Sequence, residues 1–242
     1  MEPVVLVFVY ASLTALATGL GAIPFVFVRT VSPRGVAYAN AIASGLMLGA
    51  CFGLLVEGTE SGAWQTIIGA NIGVLFILVT QKVLEHYNVQ FGSVRSAGAR
   101  RMLLMIIVMT VHSFSEGVAV GASFGGGMSF AVLITVAIAV HNIPEGLAIS
   151  AVLRPRGVSV AGCAGWSVFS SLPQPLMAVP AYFLVSAFGR ALPYGIGFAA
   201  GAMVLMVFLE LLPEAYGQAR RRTVALLVSV SLAGMILFQR FL

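Results

Sequence analysis

Two histidines and two glutamates lie in the middle of apolar stretches, where ionisable side chains are rare. They occur in the segments HSFSEG and HNIPEG, which place His112 four residues before Glu116 and His141 four residues before Glu145. Residues four apart in a helix lie on the same face, so we expect each histidine beside its glutamate. The repeated spacing therefore predicts two His–Glu pairs on two helices.

The segment between the two pairs predicts that their helices are antiparallel neighbours, because it is short and contains the glycine-rich turn GGGMS. A turn centred on this segment brings His112 level with Glu145 and Glu116 level with His141. The two layers would lie about 6 Å apart, at a helical rise of about 1.5 Å per residue. All four side chains are thus predicted to form one cluster.

This set of side chains favours cation binding. A carboxylate at the centre of a bilayer costs about 3 kcal/mol on insertion scales, and every Lys and Arg falls in a loop or at a helix end. The deep glutamates are therefore either protonated or beside a bound cation. Two core His–Glu pairs that only hold the bundle together are disfavoured by the repetition and by the absence of a basic partner.

The mixture of imidazoles and carboxylates indicates which cation to expect. It suits borderline divalent ions, zinc first and then iron, manganese or cadmium, whereas magnesium and calcium prefer oxygen ligands alone. The predicted metal ligands are His112, Glu116, His141 and Glu145.

The composition indicates a helical membrane protein that must position these side chains. The chain has 242 residues, of which 60% are hydrophobic and 9% are charged, against about a quarter charged in soluble domains. The length fits a single domain, 1–242. The net charge of +5 is attributed to basic loops and not to nucleic-acid binding.

The apolar runs predict an all-α, polytopic membrane helix bundle with eight transmembrane helices. Strands are disfavoured, because no run alternates with period two. The sixth run contains Pro173, Pro175 and Pro180, which must break or kink it. Runs of about 20 residues are needed to cross the hydrocarbon, and the eight lie at about 3–28, 36–57, 64–84, 102–124, 128–153, 158–187, 192–215 and 223–241.

The basic residues predict the orientation of these spans. Of the 13 Lys and Arg residues, only Arg190 and Arg240 fall on one side of the predicted bundle. The positive-inside bias places the other side in the cytoplasm, and hence both termini are predicted to be non-cytoplasmic. The residues on the cytoplasmic side are Arg29, Arg34, Lys82, Arg95, Arg100, Arg101, Arg154, Arg156, Arg220, Arg221 and Arg222.

The motifs resemble those of a known family. HSFSEG and HNIPEG are similar to the paired metal-binding motifs on the fourth and fifth helices of the ZIP (Zrt/Irt-like) divalent metal transporters. ASGLMLGACFGLLVEG and GFAAGAMVLMVFLELLPEA resemble segments of the second and seventh helices. With SLPQPL in the sixth span, the set looks nearest to a subgroup that includes plant and microbial ZIP-like proteins.

The resemblance implies an elevator-like carrier that moves metal toward the cytoplasm. Spans one, four, five and six would move against a scaffold of spans two, three, seven and eight. The four predicted ligands fall on the primary metal site, and Ser113, Asn142 and Gln174 fall on positions that help to build a second site in binuclear members. Those positions are neutral here, and a second cation would bring unneutralised charge into low dielectric. One well-occupied metal site is therefore expected, and Ser113, Asn142 and Gln174 would form an auxiliary set beside it.

Four further glutamates suggest a path for the ion. Glu57 and Glu60, at the outer end of span two, would raise the local cation concentration. Glu210 and Glu214, on span seven, could receive the ion at the cytoplasmic side, although a solvated helix end explains Glu214 equally well.

Two other functions use similar residues. An intramembrane zinc-dependent hydrolase is the main alternative, but the chain has no Asp and no assignable base beside a substrate cleft. The second alternative is a proton channel or a structural membrane protein.

We expect a transporter and not an enzyme, with no resident cofactor and with the metal ion as substrate. Its partners would be the ion and the lipid bilayer, with a homodimer left open. The cell membrane is favoured over an organelle membrane.

Overall fold

The described part of the chain is all-helical. The computed structural model describes residues 2–28, 30, 32–86 and 97–240, and no strand occurs among them. Arg29, Arg95 and most of the polar loop after the third span lie outside these residues. The α-helices are α1 (Pro3–Leu20), α2 (Pro24–Phe27), α3 (Pro33–His86), α4 (Ala97–Ser123), α5 (Met128–Leu153), α6 (Val160–Ser170), α7 (Pro173–Ala187), α8 (Leu192–Met206), α9 (Leu212–Gln218) and α10 (Arg221–Gln239).

Six helical stretches in the described residues are long and apolar enough to cross a membrane. Their length and composition make the chain an integral membrane protein. The second stretch is interrupted at Gly62, whose φ of 165° and ψ of 97° are not helical. The six are Pro3–Phe27, Pro33–Lys82, Met128–Arg156, Val160–Ala187, Gly189–Gln218 and Arg221–Gln239.

Proline and a π-helical turn interrupt two of the long stretches. The predicted break in the sixth apolar run is confirmed, since α6 ends at Ser170 and α7 begins at Pro173. A π-helical turn at Val207–Leu211 separates α8 from α9 and was not predicted. Pro213, which cannot donate a backbone N–H, follows that turn by two residues.

The helices pack as two groups, and the four predicted metal ligands lie in only one of them. In the first group α1 packs on α5, α6 and α7, and α4 packs on α7; in the second α3 packs on α8 and α10. The groups meet where α3 contacts α5 and where α4 contacts α8. The two helices that carry the His–Glu motifs, α4 and α5, therefore lie at the boundary between the groups.

Candidate metal centre

The four predicted ligands come together at the contact between α4 and α5. One ligand atom from each of His112, Glu116, His141 and Glu145 lies within 4.8 Å of the other three. The first pair lies on α4 and the second on α5, and the two helices meet through the turn at residues 124–127. The helical spacing within each motif and the antiparallel packing together bring the four side chains to one point.

The pairing across the two helices follows the predicted layers. His112 Nε2 lies 3.2 Å from Glu145 Oε1, and His141 Nε2 lies 2.7 Å from Glu116 Oε1. Within α4, His112 Nε2 is also 3.4 Å from Glu116 Oε1. Glu116 therefore contacts both imidazoles, whereas Glu145 is within 4 Å of only one.

The cluster is desolvated and contains no permanent positive charge. Glu116 and His141 are 0% exposed, His112 is 2% exposed and Glu145 is 3% exposed. In the part of the chain that the structure describes, both carboxylates have only histidines as ion-pair partners. Two carboxylates out of water without an Arg or Lys are stable only with protons or with a cation.

Two ligand atoms face each other in the cluster without making a hydrogen bond. They are His112 Nε2 and Glu145 Oε1, and neither is in a hydrogen bond with any described residue. Buried polar atoms nearly always have a partner. A divalent cation coordinated by imidazole nitrogen and carboxylate oxygen would supply one, so the donor set fits a metal such as zinc.

Gln174 joins the auxiliary positions to the cluster. Its Nε2 donates to Glu116 Oε2 at 2.5 Å, and its Oε1 lies 2.5 Å from Thr14 Oγ1. Asn142 Nδ2 donates to the Thr14 carbonyl oxygen at 2.9 Å and lies 3.4 Å from Gln174 Oε1. Ser113 is buried on α4 next to His112. The second oxygen of Glu116 is thus held by an amide.

Two threonines of α1 support this arrangement and were not predicted. Thr14 contacts Gln174 and Asn142, and Thr18 Oγ1 lies 2.8 Å from Ser171 Oγ, at the break between α6 and α7. The available signal is their spacing of four in an apolar helix, which puts both on one face. That spacing alone does not say which helix the face meets.

Each glycine that follows a motif glutamate allows a neighbouring backbone to approach. A Cβ at Gly117 would lie 2.5 Å from the Gln174 carbonyl oxygen, and one at Gly146 would collide with the Thr18 carbonyl oxygen. Any larger residue at Gly117 would push α7 away from α4. The absence of a side chain at Gly117 and Gly146 therefore lets α7 and α1 pack close to the four predicted ligands.

The predicted path residues lie apart from the cluster. Glu57 lies beside Gly126, and Gly126 belongs to the turn between α4 and α5. This glycine is ten residues after Glu116, or about 15 Å along the helix. Glu60 is exposed near the break at Gly62. Glu210 accepts a 2.7 Å hydrogen bond from Gln81 Nε2, and Glu214 accepts one of 3.4 Å from Gln218 Nε2.

The sequence matches a family profile over more than half of its length. The family described as ZIP zinc transporter matches residues 89–239. This region contains both His–Glu motifs and the broken sixth run.

Similar proteins have been described in a plant and in bacteria. A candidate zinc transporter of Arabidopsis thaliana is 45% identical over 91% of this chain and 36% of its own length. The zinc transporter GufA of Myxococcus xanthus is 31% identical over 91% of this chain and 93% of its own length. The zinc transporter ZIPB of Bordetella bronchiseptica is 32% identical over 89% of this chain and 75% of its own length. The chain thus spans about a third of the plant relative and most of the two bacterial ones.

Proposed function

The chain belongs to the ZIP family of zinc transporters, and we propose that it carries divalent transition-metal cations, zinc first, across a membrane toward the cytoplasm. Members of this family are transporters and not enzymes, so the hydrolase alternative is set aside. The observation that carries the proposal is the convergence of His112, Glu116, His141 and Glu145 in a buried site without a basic partner.

We propose that His112, Glu116, His141 and Glu145 bind one cation at a time. With two carboxylates in the cluster, one divalent ion already balances the charge, and a second would add uncompensated charge in low dielectric. Gln174 supports this stoichiometry, because its Nε2 donates to the Glu116 oxygen that a second ion would need. Ser113 and Asn142 then act as an auxiliary set around the site. Iron, manganese and cadmium are the competing substrates.

We propose that the transport domain crosses the membrane eight times. The stretch Pro33–Lys82 has 50 residues, about 75 Å as a straight helix, and the hydrocarbon is about 30 Å thick. The interruption at Gly62 supports its division into two spans, and the 27 residues of α4 supply another. Eight spans and the distribution of basic residues would leave both termini outside the cytoplasm.

An elevator-like motion is the mechanism that we propose, with α1 and α4–α7 moving against α3 and α8–α10. The site and its supporting residues all lie on α1, α4, α5 and α7, so the ion would travel with one group. Within each group, backbones approach through glycine, as Gly146 does to Thr18 and Gly201 does to Ala70. Among the described glycines, contacts between the groups involve side chains only, which supports sliding at that boundary.

The path residues would act at the two ends of this motion. Glu57 and Glu60 would concentrate cations at the outer mouth, and the position of Glu57 beside Gly126 supports this role. Glu210 and Glu214 would receive the ion at the cytoplasmic side. Glu210 sits in a π-helical turn, a feature that is frequent at functional sites, and this supports its role.

The surroundings of the protein follow from this function. The lipid bilayer and the metal ion are the partners that we propose, in the cell membrane. A homodimer is compatible with the many apolar side chains exposed on the helix after Gly62. The proposed metal binding at the four ligands depends neither on the oligomeric state nor on which membrane contains the protein.

Uptake of labelled zinc into proteoliposomes tests the function. We expect saturable uptake by the purified protein, competition by iron and manganese, and loss of uptake in His112→Ala and Glu145→Ala. Thr59→Ala is a suitable control, because Thr59 is exposed and bonds only to carbonyls of its own helix. A folded protein that binds zinc but shows no uptake would refute the transporter proposal.

A further inference from the structure

A second polar feature lies where α9 meets α10, away from the metal centre. Tyr216, Arg221, Arg222 and Ala225 line an open cavity of about 550 Å³. All four of these residues are exposed. Two arginines and a tyrosine therefore line one surface concavity at the end of a membrane-spanning helix.

The two arginines have no partner within the described part of the protein. Its three close ion pairs all lie in the metal centre, and neither Arg221 nor Arg222 is in a side-chain hydrogen bond. Arg154 and Arg156 differ, because each donates Nη1 to a carbonyl oxygen, of Val158 and Val152 respectively. The guanidinium donors of Arg221 and Arg222, at the rim of the cavity, therefore remain available to an external anion.

We propose that this cavity binds the phosphate group of an anionic phospholipid in the adjoining leaflet. Guanidinium groups match phosphate oxygens in bidentate geometry. Basic clusters next to a membrane span attract anionic lipids, which are concentrated in the cytoplasmic leaflet. The proposal rests on the proposed orientation, which places this end of α10 in the cytoplasm, and it is independent of the identity of the transported ion.

The face of α10 below the cavity favours a lipid over a soluble phosphate. Arg222, Leu226 and Val230 follow one another at intervals of four residues and so share one face of the helix. Leu226 and Val230 are each 62% exposed. A headgroup at Arg222 would place its acyl chain along these two side chains. Tyr216 has the amphipathic character typical of residues at the membrane interface.

Native mass spectrometry of the full chain in detergent tests the proposal with phosphatidylglycerol and phosphatidylcholine as probes. We expect phosphatidylglycerol to be retained more strongly, and the double variant Arg221→Ala/Arg222→Ala to weaken its retention ~5-fold for each arginine removed. Ala225→Trp, which places a bulky side chain in the cavity without changing the charge, should weaken retention too. It also tests the site if the double arginine variant fails to fold.

The matched control is Arg154→Ala/Arg156→Ala, which removes two charges elsewhere on the proposed cytoplasmic side and should leave retention unchanged. Equal losses in the two arginine pairs, or equal retention of the two lipids, would overturn the proposal. Full displacement of phosphatidylglycerol by an excess of inorganic phosphate would assign the cavity to a soluble ligand instead. None of these readouts requires metal transport, so failure here leaves the transporter proposal standing.

Discussion

Gln174 determines, in this site, whether the second oxygen of Glu116 faces an amide or a cation. Its Nε2 lies 2.5 Å from Glu116 Oε2, and its own oxygen is shared with Thr14 and Asn142. An amide nitrogen cannot coordinate a metal, whereas a carboxylate at the same position would add both an anion and a ligand. The side chain of Gln174 thus controls the stoichiometry that we propose for the metal centre.

We predict that Gln174→Glu raises the metal content from about one to about two ions per chain, because a third carboxylate balances half of the added charge and supplies a further ligand. Elemental analysis of zinc-loaded protein measures this. Gln174→Met, of similar length and without charge, should keep about one ion per chain. A Gln174→Glu protein that still holds a single ion would contradict the assigned role of the amide.

The two glutamates should differ in their contribution to affinity. Glu116 lies within 4 Å of both imidazoles, while Glu145 lies that close to His112 alone. We expect Glu116→Gln to weaken zinc binding by ~10-fold or more, and Glu145→Gln to weaken it less. Each variant removes one negative charge. Titration calorimetry of zinc binding to both variants therefore separates the effect of ligand position from the effect of net charge. Equal losses would show that only the net charge matters.

The sequence predicts the four central residues better than it predicts their support. His112, Glu116, His141 and Glu145 were found because spacing of four within a helix is a local property. Thr14 and Thr18 were not found, since their role depends on how α1 packs against α5 and α7. The sequence of one helix does not reveal a residue whose role depends on contacts with other helices.

Among the helices, both groups contain close backbone contacts at glycine. In the α3–α8 pair, a Cβ at Gly201 would collide with the Ala70 carbonyl oxygen, and one at Gly197 with that of Thr66. Small residues at such contacts let helices approach in a membrane, where the hydrophobic effect does not drive them together. The close approach of the α3 and α8 backbones therefore depends on glycine at this interface.

We predict that Gly201→Ala destabilises the protein by about 1–3 kcal/mol, because the added methyl group separates α8 from α3. A lower melting temperature in detergent is the expected result. Gly234→Ala is the matched control, since no atom lies within 4 Å of the added Cβ, and its melting temperature should not fall. Destabilisation of the same size in both variants would rule out the backbone contact as the cause.

The elements were predictable where proline or apolar length defines them. The break in the sixth run follows from its prolines, which remove backbone donors, and the structure ends α6 and begins α7 there. The π-helical turn at Val207–Leu211 was missed, because an extra residue in a helical turn hardly changes the apolar pattern. The non-helical backbone at Gly62 lies between the predicted second and third spans.

At the scale of the whole molecule, the proposed mechanism requires the two helix groups to move relative to each other. The α4–α8 contact offers a way to stop that motion, because a Cβ built at Gly195 would lie 3.3 Å from Ala122 Cβ. The α1–α6 contact offers a comparable pair within one group, with a Cβ at Gly19 lying 3.9 Å from Ala164 Cβ and 2.9 Å from Val168 Cγ2, a methyl group that must shift. Both Cβ–Cβ separations are close to the 3.5–4.5 Å or so that a disulfide needs.

We predict that oxidation of Gly195→Cys/Ala122→Cys abolishes zinc uptake and that a reductant restores it, because the disulfide ties the metal-carrying group to the scaffold. Both proteins are made with Cys51→Ala and Cys163→Ala, to remove the native thiols. Oxidised Gly19→Cys/Ala164→Cys should continue to transport, since its disulfide joins helices that move together. Undiminished uptake by the fully oxidised α4–α8 variant would mean that the ion crosses without relative motion of the groups. Loss of uptake in both variants would place the sliding boundary inside the metal-carrying group.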